Sequence, residues 1–304
     1  MTGADTPAPV WVLEDPRAGT AAQALGIAER LGLPFRRVPL SWGPLARLPW
    51  PMPSLAGLAD RGTFAPPWPR LAISAGRRAA PVSRWLRARG VSTVHAMRPG
   101  LGAGDFDLLV IGAHDRPRPA PNLIEILGAA HRVTPEALAA APRLDDGGIG
   151  LLLGGPVRGE GMDPAEAARI ARLAAGLGGF VHATTSRRTG SAAADAVERA
   201  LSGVPHRLHR FGTGGPNPYL SILASARALV VTADSISMIS EALATGAALF
   251  LAETSAIGPR HQALAERLYA EGLAAPLGAA GPPPRAPRDE TARVAAEILR
   301  RGLV

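Results

Sequence analysis

Two kinds of segment alternate along this chain, and their order limits the folds open to it. Short apolar or β-branched runs at 10–15, 36–40, 70–76, 92–97 and 106–115 are interleaved with helical patterns, at 21–32 and 79–90. A second series follows, with runs at 149–155, 179–186, 206–211, 228–234 and 247–253 between helical stretches such as 163–178, 191–201, 218–226 and 260–272. Runs as continuously apolar as "IGLLLGG" and "ALVVTAD" belong to strands covered on both faces, and helix-length connections let successive strands lie parallel. The polar break "APRLDDGG" (141–148) separates the series. The expected fold is α/β, two Rossmann-like domains, each built on a parallel sheet. The first spans 1–145 and the second 146–285. A last helix within 286–304 is expected to pack back on the first domain. The Pro- and Trp-rich stretch 41–69 reads as irregular with a short helix, and 276–288 as a linker.

Composition narrows the chemistry. With 47% hydrophobic and 19% charged residues, 304 residues can bury a proper core. No apolar run reaches the roughly 18–20 residues needed to span a bilayer, and "MTGADTPAPVWVLED" lacks the pattern of a signal peptide. A bacterial cytoplasmic location is expected, peripheral to the inner membrane in the alternative reading. There is no cysteine, which excludes disulfides and thiolate chemistry. There is no lysine either, so all 33 basic residues are arginines and Schiff-base or P-loop lysine chemistry is excluded. A net charge of +8 suits an anionic ligand, but only 4% aromatic residues leave few stacking platforms, and no nucleic acid partner is expected. No metal site or cofactor is expected.

In open parallel sheets, ligands bind beyond the carboxyl ends of the strands. At the first such end, Glu14 and Asp15 precede Gly19, Thr20 and Gln23 on an opening helix; an anion seat competes there with a simple helix cap on Thr20. At the fifth, His114 and Asp115 are candidates for a general base, with a solvated loop pair as the competing reading. In the second series Gly154 and Gly155 allow close backbone approach. Ser186, Arg187 and Arg188 in "TTSRRT" combine a hydroxyl with guanidinium groups suited to phosphate. In "VTADSISMISEALATG", Asp234 or Ser235 caps a helix whose early N–H groups, around Ser237 and Met238, are free. Glu241 lies four residues beyond Ser237 on the same face. That face can hold a phosphate at its start and a ribose one turn later, or Glu241 can simply face water.

These residues carry a resemblance. "LEDPRAGTAAQALGIAERLGLP", "GAAHRVTPEAL", "TTSRRT", "NPY" and "VTADSISMISEALATG" resemble the elongated-mitochondria (ELM-type) family, named for a plant mitochondrial fission factor and mostly bacterial. The resemblance implies a GT-B-like architecture, two Rossmann-like domains with parallel sheets facing across a cleft, and nucleotide held mainly by the second domain. That half is also similar, more distantly, to the enzyme that adds N-acetylglucosamine to lipid I. By position, Glu241 would take ribose hydroxyls, and Ser235, Ser237 and their amides a diphosphate. Arg187 or Arg188 would neutralise the diphosphate, Gly154 and Gly155 would line the cleft, and Asn217 and Tyr219 would shape the wall near the base. Two departures stand out: "ADSIS" replaces the glycine-rich turn of that enzyme, and position 249 is Leu where many retaining GT-B enzymes carry a second glutamate.

The expected function is a metal-independent glycosyltransferase using a nucleotide-diphosphate sugar, with uridine diphosphate the expected carrier. A lipid-linked or envelope glycan is the expected acceptor, with Asp115, His114 or Asp15 as base. The alternatives are a sugar-nucleotide epimerase or hydrolase on the same fold, and a non-catalytic adaptor at a membrane surface.

Overall fold

The computed structural model describes residues 8–48, 51–144, 147–156, 161–282 and 285–304. The chain divides into two compact units, Met1–Arg132 with Asp289–Val304, and Val133–Arg288. In the first unit the elements are β1 (Val10–Glu14), α1 (Ala18–Leu31), β2 (Phe35–Pro39), β3 (Leu71–Ala75), α2 (Ala80–Arg87), β4 (Ser92–Ala96), β5 (Leu108–Gly112) and β6 (Leu123–Ile126). The second contains α3 (Pro135–Ala140), β7 (Ile149–Leu153), α4 (Pro164–Ala175), β8 (Val181–Thr185), α5 (Ser191–Leu201) and β9 (His206–His209). It continues with α6 (Tyr219–Ser225), β10 (Ala228–Thr232), α7 (Ile236–Leu243), β11 (Ala248–Ala252), α8 (Pro259–Ala270) and β12 (Ala275–Pro276). The final helix, α9 (Glu290–Arg300), returns to the first unit.

Each unit is built on a six-stranded parallel sheet, ordered β2-β1-β3-β4-β5-β6 in the first and β12-β11-β10-β7-β8-β9 in the second. The central strands β3, β5, β7 and β10 are buried along their whole length, which is why they read as unbroken apolar runs. The edge strand β2, "FRRVP", exposes two arginines, a charged edge that discourages pairing with another chain. In each sheet the strand order reverses at one crevice, between β1 and β3 in the first unit and between β7 and β10 in the second. Those are the switch points where ligands of open α/β sheets bind.

The boundary between units falls earlier than the polar break at 141–148, because α3 packs on α6 of the second unit. The run 106–115 is not one strand. β5 stops at Gly112, and 113–115 form a 3-10 turn ended by Arg116 at a positive φ. The helix α9 lays Val294, Ala295 and Ile298 into the core formed by α1 and the first sheet. Its start is tied by Asp289 to Arg30 at 2.6 Å and by Thr291, whose hydroxyl accepts the His131 N–H at 3.0 Å. No described helix is long and apolar enough to cross a membrane.

Candidate functional site

The second unit gathers its sequence-predicted residues at the β7/β10 switch point. β8 lies on the other side of β7, so the loops after all three strands meet there. The Gly154 N–H donates to Thr232 Oγ1 (2.8 Å) and the Gly155 N–H to Asp234 Oδ2 (2.6 Å). A Cβ on Gly154 would sit 2.6 and 2.8 Å from the two Asp234 carboxylate oxygens. One on Gly155, where φ is +147°, would sit 2.2 Å from the Arg188 carbonyl oxygen. The glycines thus make room for the protein's own carboxylate and loop, which is a different use from the close ligand approach read from the sequence.

The loop after β8 is held by Thr189, whose fully buried hydroxyl donates to the carbonyls of Leu153 (2.9 Å) and Gly154 (2.6 Å) and accepts the Ser186 N–H (2.9 Å). The Ser186 hydroxyl donates to the Gly154 carbonyl at 3.0 Å, so it too braces the loop. This brace sorts the two arginines: Arg187 is exposed, whereas Arg188 is half-buried with Nη2 3.7 Å from Asp234 Oδ2. Asp234 Oδ1 is buried without a hydrogen-bond partner among the described residues.

Ser235 is the residue before α7, and no side chain caps the helix. Ser237 and Met238 are half-buried in its first turn, leaving the N–H groups there to the positive end of the helix dipole. One turn on, Glu241 meets Tyr219 from the start of α6, whose hydroxyl donates to Glu241 Oε2. Burial pushes the Glu241 carboxyl up to about 7, partly offset by that hydrogen bond. Burial, and then the carboxylate, push the Tyr219 phenol well above its ordinary range. A solvated glutamate is therefore not what the structure contains. Asn217 turns inward on its own backbone, its side-chain oxygen accepting the Tyr219 N–H at 3.1 Å, and so starts α6.

Three residues here escape the sequence reading. Thr232 and Thr189 lie inside quoted motifs, but their contacts join separate loops. His261 on α8 has no local signal; its Nδ1 accepts the Gly258 N–H at 3.1 Å. Burial lowers the His261 pKa, while the nearby Asp234 charge acts the other way.

In the first unit the candidates scatter along the strand ends. Asp15 is buried, accepting from the Arg17 N–H (2.9 Å) and Trp42 Nε1 (3.0 Å), so it pins the start of α1. Arg17 precedes that helix, and Thr20 lies inside its first turn and is not its cap. Glu14 is claimed by Arg37 at 2.5 and 2.8 Å across the β1–β2 pair, and that guanidinium holds its carboxyl below the usual range. Gly19 is open, with nothing within 4 Å of the place a Cβ would take, and Gln23 is half-buried one turn on. His114 and Asp115 are buried in the 3-10 turn, 4.0 Å apart, with Arg98 Nε 3.8 Å from Asp115. They are not a solvated loop pair. β1 and β5 are three strand spacings apart, about 14 Å, so Asp15 works separately from them.

The chain is 24% identical to RP120, an uncharacterized protein of Rickettsia prowazekii (strain Madrid E), over 323 residues and 87% of each chain. Its fold is similar to MurG of Acinetobacter baumannii (14% identity, TM-score 0.53), covering 98% of this chain and 92% of that one. It is similar also to Os79 of O. sativa, solved with U2F and trichothecene (14%, 0.55; 97% and 92%). A third likeness is to the spinosyn forosaminyltransferase SpnP (15%, 0.54; 98% and 93%). At such identities the likeness is one of fold, the GT-B arrangement of glycosyltransferases. Residues 18–302 match the Mitochondrial fission ELM1 family, and the chain belongs to it.

Proposed function

We propose that this protein is a metal-independent glycosyltransferase whose second unit holds a nucleotide-diphosphate sugar, with uridine diphosphate as the carrier. The observation that carries the reading is the meeting of an uncapped α7 start, Arg188 and the Tyr219-supported Glu241 at the β7/β10 switch point. The α7 N–H groups and Arg188 would stabilise charge growing on the leaving diphosphate. Glu241, oriented by Tyr219, would accept the paired ribose hydroxyls. An acceptor hydroxyl would give its proton to Asp115, His114 or Asp15 of the first unit. The fold's likeness to MurG and SpnP supports the reaction class, and the solved complex of Os79 with UDP supports a nucleotide partner.

One observation favours a second reading, a non-catalytic scaffold. Asp234 already accepts the Gly155 N–H and faces Arg188, so an anion must share or displace that carboxylate. A thermal-shift panel of UDP, GDP, ADP, dTDP and CMP, run on wild type, Glu241→Ala and Arg188→Ala, separates the two. A nucleotide at ~100 times its Kd stabilises by roughly 2.7 kcal/mol. The transferase reading requires one diphosphate to shift the wild type and to lose its effect in both variants. A panel without any shift leaves the scaffold.

A further inference from the structure

Charge is shared unevenly between the units. The first holds 19 of the arginines against 12 acidic residues, a net +7; the second holds 14 against 13, a net +1. In the first unit about half of the arginines have carboxylate partners, among them Arg30 with Asp289, Arg37 with Glu14, Arg84 with Asp105, Arg87 with Asp107 and Arg132 with Glu29.

Three of the arginines without such a partner come together. Beyond the carboxyl ends of β3 and β4 lies a cavity of about 160 Å³ whose lining includes Leu48, Arg77, Arg78, Pro81, Gly100 and Leu101. An adjoining, more open recess of about 430 Å³ shares Arg78 and adds Arg47 and Trp42. Among the described residues, none of these three arginines is paired with a carboxylate. The Arg77 stem crosses Gly100, where a Cβ would lie 3.3 Å from its Cγ, so that glycine leaves the side chain its path into the cavity. The other wall is apolar and wet. Leu48 is 53% and Leu101 55% exposed, and Leu45 (44%) and Met52 (70%) flank Leu48 along the chain. These are four of the eight most exposed large apolar side chains of the described residues.

Unpaired guanidinium groups beside exposed leucines fit neither a purely apolar ligand nor a small soluble anion. The first would leave the cations without a purpose, and the second would leave the leucines in water. We infer that this cavity takes the phosphate group of a lipid. Arg77 and Arg78 meet the phosphate oxygens, and Leu48 and Leu101 cover the first methylenes of the chain. The inference does not rest on the nucleotide reading, since every residue it uses lies in the first unit.

The test is flotation of the full chain with three kinds of vesicle: phosphatidylcholine alone, phosphatidylcholine with phosphatidylglycerol, and phosphatidylcholine doped with an isoprenoid-chain phosphate. Binding is expected only when a phosphate lipid with a free anionic charge is present. The second and third vesicles tell a bilayer headgroup from a single carrier lipid. Arg77→Gln/Arg78→Gln should weaken binding roughly 30-fold, taking about 1 kcal/mol for each arginine near an anionic surface. Leu48→Ser/Leu101→Ser should weaken it several-fold. The control, Arg36→Gln/Arg70→Gln, removes the same charge at the amino ends of β2 and β3 and should leave binding within about twofold of wild type. Equal losses in both arginine pairs would reduce the effect to the net field of the unit and overturn the site. So would binding to phosphatidylcholine alone, no binding to any vesicle, or full binding by the leucine variant.

Discussion

Replacing Gly154 by alanine isolates what the switch-point glycine does. Its φ lies outside the region that favours glycine, so alanine suits the backbone and the whole effect comes from contacts. The new methyl would stand 2.6 and 2.8 Å from the Asp234 carboxylate and 2.8 Å from Thr232 Oγ1. Ordinary contact begins near 3.4 Å, so the carboxylate must retreat by about 0.8 Å, away from the Gly155 N–H it holds at 2.6 Å. Overpacking costs roughly 1–3 kcal/mol, and loss of a hydrogen bond to a charged group roughly 1.5–3 kcal/mol. Reduced freedom of the unfolded chain returns up to about 1 kcal/mol. The expected net loss is roughly 1.5–5 kcal/mol, a large part of a domain's stability. Urea unfolding followed by circular dichroism gives the total, and hydrogen exchange in peptides covering 149–156 and 228–240 places it. In an Asp234→Ala background most of the clash is gone, and the two changes should couple by roughly 1–3 kcal/mol. A neutral single variant, or strict additivity of the pair, would refute the account of Gly154 as space for Asp234.

Two further predictions concern pH, and they run in opposite directions. Burial raises the folded-state pKa of Glu241 from 4.5 to about 7, so its protonated form stabilises the second unit below about pH 4.5 and that contribution is lost as pH rises through 7. The swing is at most about 3 kcal/mol; Glu241→Gln should abolish it, and an unchanged pH slope of unfolding in the variant would count against it. His95 is fully buried, accepting or donating at Nδ1 to the Ser74 hydroxyl at 2.7 Å, and burial pushes its pKa down to about 3. A depressed histidine pKa contributes stability above about pH 6.5 that is lost as pH falls through 3, up to about 5 kcal/mol. All five tryptophans lie in the first unit, so their fluorescence follows that loss in wild type, and its absence in His95→Gln, without interference from the second.

The fold was legible where burial leaves a periodic trace. The interior strands of both sheets announce themselves because both faces are covered, and most boundaries expected from the pattern differ by only a residue or two. β6 and α3 leave no such trace, for the same reason in reverse. "LIEI" is a four-residue edge strand, mostly half-buried, and α3 is six residues long with no fully buried side chain. At the site, residue types were readable but partners were not. Gly154 sits under Asp234 from a loop 80 positions away, and Glu241 bonds a tyrosine 22 positions earlier on another helix. No local spacing encodes either contact. "Two glycines at a strand end" describes equally well room for a ligand and room for a neighbouring loop, and only the folded chain distinguishes them.

The return of α9 has a consequence for biosynthesis. Asp289, which meets Arg30 at 2.6 Å, is separated from it by 259 positions, and the whole second unit is translated between them. As the chain leaves the ribosome, the sheet of the first unit is complete once Ile126 emerges, yet the stripe of α1 and its core that Val294 and Ile298 cover stays open. The second unit is continuous in sequence and has all its residues available before α9 exists. The unit begun first is thus finished last, and a nascent chain stalled anywhere past residue 133 presents that uncovered stripe to chaperones and proteases.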